Sequence, residues 1–97
     1  MNLYKVEQSD NRDYDTYDSF VCAAENEEQA RRMHPDERVK VVDVDDKGDI
    51  RAYYDSERFL ENETWAMNIR NVTVELVGTA DPKYKKPTVV LASFNAG

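Results

Sequence analysis

Two clusters of aspartates are the residues of this chain best suited by type and spacing to chemistry. Asp10, Asp13, Asp15 and Asp18 are interleaved with Asn, Arg and Tyr, and Asp43, Asp45, Asp46 and Asp49 crowd around Lys47 and Gly48. The second cluster opens like a calcium loop, which needs oxygen ligands at its first, third and fifth positions, a glycine at the sixth and a bidentate glutamate at the twelfth. Here Lys47 holds the fifth position and Tyr54 the twelfth, so a cation and a phenol stand where ligands are needed. A plain β-turn is the better reading. The other chemistry open to these carboxylates is electrostatic. A row of carboxylates on loops and strand ends approximates a row of phosphates, and could engage the Lys and Arg side chains of a protein that handles nucleic acid. Asp13, Asp15, Asp18, Asp43, Asp45, Asp46 and Asp49 are the expected contact residues, and no metal site is expected.

Signals for catalysis are weaker. His34 is the single histidine and stands before Pro35, where capping of a helix C-terminus is the simplest role. Cys22 lies in an apolar run and reads as a small core residue. The two flank one short helix and could form a dyad, yet no third orienting group accompanies them. Three glycines, Gly48, Gly78 and Gly97, leave no loop able to cradle a phosphate. We therefore expect neither an enzyme nor a cofactor. Trp65 reads as a core anchor. Lys83, Lys85 and Lys86 with Tyr84 form a cationic turn too small to hold nucleic acid.

Charge sharpens this. Residues 1–63 carry eighteen carboxylates against nine Lys and Arg, while residues 64–97 carry four cations against two anions, and the two local charges, −9 and +2, give the net −7. Such a surface repels nucleic acid and anionic membrane and attracts basic proteins at long range. Ninety-seven residues, 40% of them apolar, suffice for a single domain, 1–97, with one modest core. No apolar run approaches the roughly 20 residues that cross a bilayer. The opening Met-Asn-Leu-Tyr-Lys-Val reads as a first strand and not as a leader, and one cysteine fits a reducing cytoplasm. Two Asn-x-Thr matches, at Asn62 and Asn71, are read as chance.

The elements that must position these residues follow from local pattern. Leu3 to Glu7 alternates as an opening strand, Ser9 to Asp18 is a polar loop or hairpin tip, and Phe20 to Ala24 is a short apolar strand. Asn26 is a helix N-cap with Gln29 three residues on, Glu27 and Glu28 favour the helix start, and Pro35 ends it after about two turns. Val39 to Val44 and Ile50 to Tyr54 form a hairpin about Asp45-Asp46-Lys47-Gly48, the glycine supplying a positive φ. Ser56 could cap a short helix through Glu57, Arg58, Phe59 and Leu60, with Trp65 and Met67 packing nearby. Val72, Val74 and Leu76 alternate up to Gly78, and a last strand opens at Val89, its end anchored by Phe94. The expected fold is α+β, a small antiparallel sheet with one main short helix packed on it.

The final Val89-Val90-Leu91-Ala92-Ser93-Phe94-Asn95-Ala96-Gly97 resembles the V-x-L-A-S-F-N-A-G ending of a group of small uncharacterised proteins from tailed bacteriophages. Similar too are Tyr14 to Ser19, Ala24 to Arg31, His34-Pro35, Trp65, and Val74 to Ala80, whereas Val39 to Tyr54 finds no counterpart. The resemblance brings no activity. It implies a phage protein acting in the host cytoplasm. The expectation is an accessory protein that binds a basic surface on a host or phage protein, as an inhibitor of a defence or nucleic-acid-handling complex. Self-association through a sheet edge or the tyrosines is the alternative, giving a structural role or a homo-oligomer.

Overall fold

The computed structural model describes residues 1–54, 60–61 (backbone only) and 64–95. Among the described residues, seven strands and one helix follow one another as β1 (Asn2–Gln8), β2 (Thr16–Ala24), α1 (Glu27–Arg31), β3 (Val41–Val44), β4 (Ile50–Tyr53), β5 (Leu60–Glu61), β6 (Val72–Thr79) and β7 (Thr88–Asn95), with a 3₁₀ turn at Ile69–Asn71. They make two antiparallel sheets where one was expected. The larger has the order β6-β1-β2-β7 and the smaller β3-β4-β5. Strands dominate, and the helix is a minor, five-residue element.

Period-two burial sets the faces of the larger sheet. Tyr4, Val6 and Gln8 of β1 and Phe20, Cys22 and Ala24 of β2 point inward and are buried. Against them pack Ala30 of α1, Ile50 of β4, Trp65 and Ala66, with the Phe20 and Trp65 rings 5.1 Å apart and tilted. Trp65 is the anchor its sequence context indicates. Met67 is not its companion, being 54% exposed. The expected helix from Ser56 falls mostly outside the described residues, and its last position, Leu60, lies in β5, paired with Tyr53.

Asn26 caps α1 by accepting from the Gln29 N–H at 2.8 Å. The Gln29 side chain turns one residue further back than a capping box requires, to the Glu25 N–H at 2.7 Å. Helical geometry stops at Arg31, well short of Pro35, and His34 stands beyond the helix end, its Nδ1 accepting from the Asp36 N–H at 3.0 Å inside a tight turn.

Local pattern leaves the strand order open, and β6 and β7 show how the fold settles it. They are consecutive, yet they occupy opposite edges of the sheet, so residues 80–87 cross over the ends of β1 and β2, with the Ala80 N–H bonded to the Met1 carbonyl. The expected stop at Gly78 is passed as well. A register shift beside Leu3 and Tyr4 lets β6 run on to Thr79, with Gly78 opposite Leu3.

The β3–β4 hairpin matches its pattern closely. Gly48 has φ 88°, and the Asp45 carboxylate accepts the N–H groups of Lys47 and Asp49, both at 2.9 Å. A Cβ at position 48 would stand 2.9 Å from Asn68 Oδ1 and 3.2 Å from Ile69 Cγ2. Gly48→Ala is accordingly strained in backbone and in space, and is expected to cost about 1–3 kcal/mol in urea unfolding.

Candidate interaction surface

The acidic loop between β1 and β2 is firmly held, for reasons that begin at Gln8. Gln8 is buried at the end of β1, where all its amide atoms find backbone partners. Oε1 accepts from Asp10 and Asn11 at 3.0 and 2.8 Å, and Nε2 donates to the carbonyls of Tyr17, at 3.1 Å, and Asn11. Asn11, also buried, donates from Nδ2 to the Trp65 carbonyl at 3.0 Å. Asp10 then reaches across the fold. Its carboxylate accepts the N–H groups of Met67 and Asn68 and the Asn71 side-chain amide, each at 3.0 Å.

The same short segment holds the hairpin tip. Met67 accepts from the Ile50 N–H at 2.9 Å, Ile69 donates to the Gly48 carbonyl at 2.7 Å, and the Asn68 amide donates to the Lys47 carbonyl and to Asp49 Oδ1 at 3.2 and 3.0 Å. The two aspartate clusters, 25 positions apart in sequence at their nearest members, Asp18 and Asp43, are thus stitched to one strip, Met67 to Asn71.

The stitching gathers part of the expected contact set. Asp13, Asp15 and Asp49 line one depression, together with Asp10, Tyr14 and Met67 and with two cations, Arg12 and Arg51. All seven expected carboxylates are exposed, but they are not equivalent. Asp43 stands opposite Arg51 across the ladder, a register that balances its charge. Asp45 is spent on the turn, and the Asp49 N–H, with that of Lys47, holds its carboxyl below the usual carboxylate range. Asp46 occupies the turn itself. Asp18 lies apart on β2, at a register shift facing β7, where the Ser93 hydroxyl donates to it at 3.5 Å. Asp15 takes the left-handed conformation, φ 62°, which Asp tolerates, and its N–H donates to the Asn95 carbonyl at 2.6 Å.

Sequence reasoning had no sight of a second depression of opposite sign. It runs between the α1–β3 connection, Tyr54 and the start of β7, with Met33, Val42 and Val89 half-buried in it. Four Lys and Arg (Arg32, Arg38, Lys40, Lys86) line it against two carboxylates, Asp36 and Glu37. Asp36 is buried, and Arg38 grips it through Nη2 at 2.7 Å, Nε at 3.0 Å and the backbone N–H at 2.9 Å while stacking over Tyr54 at 5.3 Å. The Arg38 guanidinium holds the Asp36 carboxyl below its ordinary range. Only the neighbouring Asp36-x-Arg38 spacing hints at this wall in sequence.

Cys22 and His34 make a poor catalytic pair. Both are packed inside, burial pushes the thiol up to about 11, and His34 Nδ1 is occupied. A neutral buried thiol is a weak nucleophile. Among the described residues no group of three or more His, Cys, Asp or Glu is placed to hold a metal ion, and no helix is long and apolar enough to cross a membrane. No known protein family, curated protein or solved structure matches this chain.

Two outcomes follow from this geometry. Asp10→Ala leaves three donors without their acceptor and is expected to cost about 1–2 kcal/mol in urea unfolding, with faster amide exchange at Met67 and Asn68, an effect that Asp13→Ala lacks. Asp36→Ala is expected to cost about 1 kcal/mol at neutral pH, the small figure reflecting a guanidinium exposed to solvent. Because the folded state lowers the Asp36 pKa, that stability is present above 3.8 and is lost as pH falls through the depressed value. The wild-type and Asp36→Ala unfolding curves should therefore converge in acid.

Proposed function

We propose that this chain is an accessory protein of a tailed bacteriophage, working in the host cytoplasm by binding a basic surface on another protein, without catalysis. An inhibitor of a host defence or nucleic-acid-handling complex is the form of this reading that its charge fits best. One observation supports it above the others. The carboxylates of the acidic loop and the hairpin tip are exposed yet carried on backbone pinned by Gln8, Asp10 and Asn68. Ordered anionic groups at fixed spacing lose little conformational entropy on meeting cations, which favours specific contact over diffuse attraction. The net charge of −7 speeds encounter with a basic protein and disfavours direct contact with nucleic acid.

Self-association is the second reading. The outer edge of β7, with Leu91 and Phe94 69% and 46% exposed, favours it.

The first reading is tested by immobilising the protein in lysate of infected host cells beside a variant with all seven aspartates (13, 15, 18, 43, 45, 46, 49) changed to Asn. Asn preserves the side-chain turn at position 45. A basic host or phage protein should be retained by the wild type, released as salt rises, and held at least about tenfold less by the variant. Equal retention by both would remove the idea.

A further inference from the structure

β7 combines three features along one line. Its eight residues carry no charge and no proline, and among the described residues it is the last strand of its sheet. Edge strands are usually guarded by lysines, prolines or a covering loop. Here Leu91, Phe94 and Val90 are exposed instead, by 69%, 46% and 41%.

The two ends of β7 differ in sign. At its start lies the cationic depression, with Met33, Val42 and Val89 within and Arg32, Lys40 and Lys86 exposed around it. Glu28 already pairs with Arg32, at 3.0 Å, and Lys40 Nζ donates to the Glu37 carbonyl at 3.2 Å, so the rim is partly ordered in advance. At its end lies the tip Asp13-Tyr14-Asp15, tied to β7 through Asn95 and closed by the Thr16 hydroxyl donating to the Asp13 carbonyl at 2.6 Å. Tyr14 projects from that tip 76% exposed, an aromatic ring between two carboxylates.

An apolar slot rimmed by cations suits an aromatic ring flanked by anions. Both belong to this chain, at opposite ends of one edge. They cannot meet within a molecule. They meet in pairs if two copies lie with their β7 edges antiparallel, because a two-fold axis across the middle of β7 carries the end of each strand to the start of the other. We propose that the protein forms this two-fold dimer, with the β7 edges side by side and the Asp13-Tyr14-Asp15 tip of each copy seated in the cationic depression of the other.

The tyrosine fills the slot, the aspartates meet Lys40 and Lys86, and Leu91 lies near the axis. The interface uses each surface twice and closes on itself, which stops growth at two copies. This inference deepens the self-association reading and competes with the basic partner for Asp13 and Asp15, which the dimer covers. Of the seven aspartates, Asp18, Asp43, Asp45 and Asp46 line neither depression, so a partner that needs Asp13 and Asp15 binds the monomer. A monomeric result would leave the capture experiment intact, and failed capture would leave the dimer intact.

Sedimentation equilibrium of the full chain tests the dimer, with circular dichroism verifying that each variant is folded. The wild type should reach the mass of two chains and no more. Tyr14→Ala and Leu91→Lys, both at exposed positions, should each weaken association by about tenfold or more. Asp13→Lys with Asp15→Lys should do the same through like charges, and adding Lys40→Glu with Lys86→Glu should restore the dimer. A monomer at every concentration, growth beyond two copies, or a dimer indifferent to these changes would each overturn the proposal.

Discussion

The carboxylate of Asp10 is the contact on which the arrangement of this surface depends. It receives three N–H groups from Met67, Asn68 and Asn71, and this strip also holds the tip of the β3–β4 hairpin. One side chain therefore fixes the relation between the loop joining β1 to β2 and the smaller sheet. The interaction is strong for its kind, because an anionic acceptor roughly doubles the worth of a hydrogen bond and three donors share it. Gln8 and Asn11 supply the rest of the frame, spending buried amides on loop backbone that would otherwise lack partners.

Once that loop is fixed, the surface acquires a polarity that composition alone does not reveal. An anionic depression with a projecting tyrosine sits near the end of β7, and a cationic one with an apolar interior sits near its start. The uncharged edge strand joins them. The molecule carries a net −7, yet Arg32, Arg38, Lys40 and Lys86 converge in space on one concavity. Local charge, and not the net value, decides what docks there, because screening confines the influence of exposed groups to about 8–10 Å.

Much of the local structure is legible in the sequence. Asn26 with Gln29 marks the helix start, Gly48 the hairpin turn, and alternation at Tyr4 and Val6 the inward face of β1. In each case partners lie within a few residues, so pattern and propensity suffice. The acidic residues read as one contact set, however, and the fold divides their duties. Asp10 and Asp45 serve the backbone, Asp43 faces Arg51, Asp18 faces β7, and Asp13, Asp15 and Asp49 share a depression. Nothing in residue type separates a carboxylate that holds a loop from one that meets solvent.

What the chain determined unaided is its charge, the hairpin, the helix cap and the identity of Phe20, Cys22 and Trp65 as core. What only tertiary structure decided is the placement of β6 and β7 on opposite edges, the division into two sheets and the depression beside β7. The physical reason is range. Caps and turns are closed by bonds between near neighbours, whereas sheet edges and concavities arise from backbone pairing among distant strands, here Gln8 with Val72 and Thr16 with Asn95. Many such pairings satisfy the same alternating pattern, and the packing of one shared core selects among them.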